Sequence, residues 1–246
     1  CKLQAGLVTI WETNKNSNPF EPLIFVYPIH QLGETMIEVK KGLDLPITGA
    51  PEQRIEDAKP VRNVAILGTD YVGMKPTMEV AVGDHIQRGQ LVFTDKKMSG
   101  IQYTAPASGR ITAINRGARR VFQSLVIEVD ESEDSLTFEQ HSALAARALD
   151  GESIKAQLIN SGQWTALRAR PYGKVADPSV APAGLFITAM DTQPLAPDPR
   201  VIIAEQEEAF ILGQDLLAAM VECPVYLCTA PDSAIPKASH ERILHE

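Results

Sequence analysis

Between residues 78 and 129 the chain runs straight for only a few residues at a time. Met78, Val80 and Val82 alternate with Glu79 and Ala81, the period-two pattern of a strand with one buried face. Gly83-Asp84 then supplies a tight turn, because glycine takes positive φ without steric cost and the aspartate side chain can bond its own downstream backbone. The device recurs at Gly89, ahead of the apolar Leu91-Val92-Phe93, and a polar hairpin follows at Thr94-Asp95-Lys96-Lys97-Met98-Ser99-Gly100. After Ala105-Pro106-Ala107-Ser108-Gly109 the alternation resumes at residues 111–114 and at Leu125, Ile127 and Val129. Short strands at this spacing build a small sandwich.

The 246-residue length allows one large domain or two small ones, and it can bury enough surface that no disulfide framework is required. A hydrophobic fraction of 44% and a charged fraction of 22% are those of a globular chain and exclude disordered, collagenous and coiled-coil classes. Lys and Arg number 23 against 31 Asp and Glu, a net charge of −8, so the chain is not drawn to phosphate backbones and nucleic acid is excluded as a partner. The longest apolar runs fall far short of the roughly 20 residues that a membrane-crossing helix needs, so none is expected. The cysteines number 3, an odd and sparse set that reads as reduced thiols. Cys223 and Cys228 flank Pro224-Val225-Tyr226-Leu227 without zinc spacing and are expected as core thiols. His30, His85, His141, His240 and His245 are scattered and are expected on the surface.

Residues 1–35 begin at Cys1, show no useful period, and contain Pro19, Pro22 and Pro28, which would interrupt a helix. They read as an upstream or fusion segment ahead of a start at Met36; the alternative is a mature lipoprotein with lipid on Cys1. Residues 36–77 then form a strand and loop segment and residues 78–130 the sandwich. Asp130-Glu131-Ser132-Glu133-Asp134 opens a solvated acidic linker at 131–138. An α/β domain at 139–235 and a polar tail at 236–246 complete the division. Helices are expected at 138–149, 154–160 and 205–221, and strands at 185–190, 201–203 and 225–228. Strands alternating with helices imply a parallel sheet, here with so few strands that a fragment is expected.

Motifs for autonomous chemistry are missing. No Gly-x-Gly-x-x-Gly opens an α/β helix, so no pyrophosphate cradle of that kind is encoded. Gly68-Thr69-Asp70-Tyr71-Val72-Gly73-Met74-Lys75-Pro76 approaches a P-loop, but Lys75 is one residue late and Pro76-Thr77 replaces the hydroxyl residue that would hold magnesium. No Gly-x-Ser-x-Gly elbow or His-Glu-x-x-His helix is present. No catalytic, cofactor-binding or metal-binding residue is assigned.

The stretch from Val80-Ala81-Val82-Gly83-Asp84 through Gly89-Gln90-Leu91 to Ala105-Pro106-Ala107-Ser108-Gly109 resembles the barrel-sandwich hybrid fold of biotinyl and lipoyl carrier domains. The resemblance implies a prosthetic group on a hairpin lysine, and Lys96 and Lys97 stand in about that place. The hairpin is short upstream, and Met98-Ser99-Gly100 lengthens the route to Pro106 relative to the carriers, so both are expected unmodified.

A longer resemblance orders the whole chain. Lys40-Lys41-Gly42-Leu43-Asp44-Leu45-Pro46, Pro51-Glu52-Gln53, Asp70-Tyr71-Val72-Gly73-Met74 and Ala113-Ile114-Asn115-Arg116-Gly117 closely resemble the NqrA family, one of the subunit families of sodium-translocating NADH:quinone reductases. Ser161-Gly162-Gln163-Trp164-Thr165-Ala166-Leu167-Arg168, Ile187-Thr188-Ala189-Met190-Asp191-Thr192-Gln193-Pro194-Leu195-Ala196 and Gln206-Glu207-Glu208-Ala209-Phe210 extend it. It implies a mixed α+β and α/β multidomain fold, with a biotinyl/lipoyl-like barrel-sandwich hybrid module followed by a truncated Rossmann-like α/β domain related to the flavin subunit of respiratory complex I. Such relatives carry a glycine-rich flavin loop. Here Arg168-Ala169-Arg170-Pro171-Tyr172-Gly173-Lys174-Val175-Ala176-Asp177 has one Gly and a Pro, so the flavin site is expected to be lost.

The resemblance further implies a peripheral subunit on the cytoplasmic side of the bacterial inner membrane. It would dock on membrane and peripheral partner subunits and take either a quinone-contacting or a structural role near the electron path, in a complex coupling NADH oxidation and quinone reduction to sodium export. NADH, flavins, an iron-sulfur cluster and ubiquinone would belong to the other subunits. The alternatives are a lipoyl- or biotin-carrier-like module and a flavin- or NADH-binding electron-transfer subunit.

Overall fold

The computed structural model describes residues 47–245. The expected upstream segment at 1–35, the first strand near Met36, Cys1 and His30 lie outside the described residues.

Seven strands build the first unit: β1 (Asn63–Leu67), β2 (Pro76–Met78), β3 (His85–Ile86), β4 (Leu91–Asp95), β5 (Gln102–Thr104), β6 (Gly109–Arg116) and β7 (Phe122–Val129). They form two antiparallel sheets, ordered β1-β7-β6-β3 and β2-β4-β5. Ile66, Ile86, Ile111, Leu125 and Ile127 of the first sheet share a core with Val92, Phe93 and Tyr103 of the second. Phe93 and Tyr103 stack with centroids 4.6 Å apart, while Tyr71 meets Tyr103 edge-on at 4.8 Å. These are favoured aromatic geometries.

The expected strand from Met78 to Val82 is corrected. Pairing with β4 stops at Met78, opposite Phe93. Asp84 then folds residues 81–84 into a turn, its carboxylate accepting from the Ala81 N–H at 2.7 Å and its own N–H donating to Ala81 O at 3.2 Å. Val82 is consequently exposed. Local side-chain-to-backbone bonding outcompeted the ladder.

The acidic stretch after β7 is exposed but fastened. Arg88 N–H donates to Asp134 O at 2.9 Å, Leu136 N–H donates to Arg88 O at 2.9 Å, and the Asp134 N–H donates to Ser108 Oγ at 3.1 Å. Gln87 donates to the Asp134 carboxylate at 2.7 Å, and Arg88 pairs with Glu133.

The second unit contains α1 (Ala143–Arg147), α2 (Gly151–Asn160), the hairpin β8 (Arg168–Ala169) and β9 (Lys174–Val175), β10 (Leu185–Ala189), α3 (Pro199–Ala204), α4 (Glu207–Met220), β11 (Val225–Thr229) and β12 (Ile243–His245). Strands β10, β11 and β12 form the parallel sheet in that order. Asp150 caps α2 by accepting from the Ser153 N–H at 2.7 Å, as a short acidic side chain at a helix start should.

Two expected elements changed. The helix expected over 138–149 is confined to α1, with Ser142 accepting from the Ala145 N–H at 3.2 Å. The β-branched run Val201-Ile202-Ile203 is not a strand but part of α3, because Asp198 caps the segment and Pro199 has its φ already set for a first turn. A cap and a proline outweighed residue propensity.

A second core joins Ala218 and Val221 to Ala189, Val225, Leu227, Ile235, Ala238 and Ile243. Gln214 is buried there, accepting from the Ala238 N–H at 3.1 Å and donating to Pro236 O at 3.0 Å. The Arg242 guanidinium donates to Ala218 O at 3.0 Å and Val221 O at 2.9 Å, satisfying carbonyls at the end of α4 that no helix turn can reach.

The units are joined by Trp164, which is buried in the first core and donates its indole N–H to Ala176 O at 2.8 Å. Beside it, Thr104 of β5 donates to Ser161 O at 3.0 Å.

Candidate functional site

Three places held sequence-based expectations. The first is the hairpin tip between β4 and β5. Asp95 organises it, accepting from the N–H groups of Lys75 and Lys97 at 3.0 Å each, while Lys96 N–H donates to Lys75 O at 2.9 Å. Lys96 and Lys97 are exposed, and Met98 turns inward against the core. The lysines are thus brought together and held at a fixed turn.

The second is the segment at 168–177. It closes as the antiparallel hairpin β8–β9, with Arg168 opposite Val175 and Ala169 opposite Lys174. Arg168 reaches the first unit, donating to Asp70 O at 3.0 Å and lying over the Tyr71 ring with its guanidinium carbon 4.9 Å from the centroid. Val175 is buried in the first core. The segment's backbone groups therefore go into a hairpin and its anchor rather than a fan of N–H groups around a phosphate.

The third set is the scattered thiols and imidazoles. Cys223 and Cys228 are half-buried rather than enclosed in the core, and burial pushes the Cys223 thiol pKa up, the direction that suppresses thiolate chemistry. His85 fits the surface expectation and lies 2.8 Å from the Asp130 carboxylate. His141 does not: its side chain is only 19% exposed, with Nε2 3.6 Å from Glu139. His240 is half-buried, Nδ1 accepting from the Arg242 N–H at 3.2 Å. Among the described residues no three His, Cys, Asp or Glu side chains cluster so as to hold a metal ion.

A groove of about 600 Å³ runs between the units, lined by Pro106, Leu136, Phe138, Ile154, Leu158 and Leu216 together with His141 and Gln157. Its walls come from the sandwich, the acidic strap and the helices α1, α2 and α4. No local spacing marks it in the sequence, and only the apolar Leu136 and Phe138 after the acidic run hint that this stretch packs.

The architecture is that of a barrel-sandwich hybrid fused to an α/β unit. A family profile described as the NqrA N-terminal barrel-sandwich hybrid domain matches residues 37–130, and one described as the NqrA second alpha/beta domain matches residues 149–246. The NqrA subunit of the Na(+)-translocating NADH-quinone reductase of Alcanivorax borkumensis is 51% identical over 211 residues, covering 86% of this chain and 47% of that relative. The same-named protein of Vibrio parahaemolyticus is 51% identical over 208 residues, covering 85% and 46%. That of Pseudomonas aeruginosa strain PAO1 is 52% identical over 201 residues, covering 82% and 44%. The chain belongs to the NqrA family of Na(+)-translocating NADH-quinone reductase subunits. It spans about half the length of the curated relatives it matches. No helix among the described residues is long and apolar enough to cross a membrane.

Proposed function

We propose that this chain serves as a peripheral docking subunit of a sodium-pumping NADH:quinone reductase, on the cytoplasmic side of the inner membrane, and carries no active site of its own. NADH, flavins, iron-sulfur cluster and ubiquinone are handled by the other subunits. The observation that carries this reading is the closed β8–β9 hairpin. The segment that would have to present free backbone N–H groups to a flavin phosphate instead pairs with itself and is anchored through Arg168 to Asp70 and Tyr71. Two folded units act together, the first extending from 78–130 back to β1 and the second from 139–235 on to β12, with 131–138 as the strap between them. Contact with quinone belongs to the apolar groove, whose lining suits an apolar ligand and includes Gln157 and His141 as polar partners.

The test is purification of the tagged full-length subunit from membranes, with mass-spectrometric identification of what accompanies it and an absorbance spectrum of the separated subunit. Membrane reductase subunits should co-purify, and the separated subunit should show no flavin band. A stoichiometric flavin band, or purification without the membrane subunits, sinks the proposal.

A further inference from the structure

The β6–β7 hairpin closes through Ala118-Arg119-Arg120-Val121, with the Val121 N–H donating to Ala118 O at 3.2 Å. Arg119 has φ 54° and ψ 26°, and Arg120 has φ 61°. Two consecutive residues at positive φ make this the type I′ turn that matches the twist of a hairpin, and its central positions favour Asn-Gly. Arginine there is strained, since an L side chain in this region crowds its own carbonyl. Nothing in the turn itself requires two long cationic side chains.

The tip gathers charge against the trend of the chain. Arg116, Arg119 and Arg120 are all exposed in a protein of net charge −8. None of the three is in an ion pair among the described residues. Arg116 donates to Arg120 O at 3.4 Å, which braces the turn from inside. Val121 adds an apolar side chain, 63% exposed, beside the guanidinium groups. Strain retained at a backbone position commonly marks a functional requirement.

We propose that the β6–β7 tip is a docking surface for a carboxylate-bearing face of a neighbouring protein in the reductase complex. This rests on the assembly reading above. Guanidinium groups present planar donor forks that match carboxylates, and arginine beside apolar surface is the usual make-up of an interface anchor. A lipid surface is the weaker fit, because basic segments that hold anionic headgroups generally gather about four to eight cations and need no fixed backbone.

The decisive variant is R119N/R120G, which installs the preferred turn sequence while deleting both charges. Full-length wild type and variant are compared by thermal melting, by affinity for reductase complex depleted of its own NqrA, and by flotation with phosphatidylcholine vesicles containing phosphatidylglycerol. The variant should melt at or above the wild-type temperature yet bind the depleted complex about tenfold more weakly at low salt, with the difference shrinking as salt rises. Unchanged affinity overturns the inference and leaves the assembly reading standing. A variant that melts lower overturns the strain on which the inference stands. Vesicles that float wild type but not the variant replace the protein partner with lipid. Wild type that fails to bind the depleted complex overturns both readings.

Discussion

Gly83 and Gly109 look equivalent in the sequence, each a glycine beside an apolar alternation, but they should respond very differently to a methyl group. Both have positive φ, 99° at Gly83 and 152° at Gly109. A Cβ at Gly83 would meet nothing within 4 Å, so Gly83→Ala carries only the backbone penalty, about 1 kcal/mol, part of it offset by the stiffer unfolded chain. At Gly109 the same atom would stand 2.0 Å from Glu128 O and 3.0 Å from Ile127 Cγ2. Gly109 is flanked by Ile86 of β3 and Val129 of β7, so neither neighbour can retreat without opening a ladder. Overpacking of about 1–3 kcal/mol therefore adds to a similar backbone term, for a total of roughly 2–4 kcal/mol. At about 2–4 °C per kcal/mol for a chain of this size, Gly109→Ala should melt roughly 4–16 °C below wild type and Gly83→Ala within about 4 °C of it. Scanning calorimetry measures both, and complex yield should fall with stability while NADH oxidation per assembled complex stays constant. Equal melting temperatures for the two variants would refute the steric reading. A folded, assembled Gly109→Ala with lost turnover per complex would show that the start of β6 does chemistry rather than serving as scaffold.

Trp164→Ala removes the side chain that joins the units and should cost about 3–5 kcal/mol, splitting one calorimetric transition into two; a single, barely shifted transition would contradict this. Burial, then the Asp95 carboxylate, then Tyr71 hold the Tyr103 phenol well above its ordinary pKa. The neutral phenol's stabilising contribution is thus complete below the unfolded value of about 10 and is lost as pH rises beyond it, because only the unfolded chain then gives up the proton. Urea midpoints should fall above pH ~10 in wild type and less steeply in Tyr103→Phe; parallel alkaline limbs would be the contrary result. Lys96 and Lys97 should be unmodified in protein from the native host, and an intact-mass increment matching a lipoyl or biotinyl group would disprove it.

Local chemistry was legible in the sequence wherever one or two residues settle a backbone choice. Glycine at the tight turns and Asp150 ahead of α2 are of this kind, since a missing Cβ or a short carboxylate acts within a few residues of itself. Apolar alternation likewise announced β6 and β7, because one face of each packs on the same core. Where two local signals disagreed, reading residue by residue failed: Val201-Ile202-Ile203 has strand character, yet Asp198 and Pro199 begin a helix. Met78-Glu79-Val80-Ala81-Val82 kept its period across a point where the ladder had already ended. The candidate site was less legible still. The acidic strap, the apolar groove, the Trp164 anchor and the docking of Arg168 on Tyr71 join residues distant in sequence, and their energies come from burial and satisfied backbone groups that exist only once the units meet. Arg119-Arg120 lacks the Asn-Gly signature of its turn. Only the register of β6 against β7 places both at positive φ, since the geometry of a two-residue turn is imposed by the strands it joins.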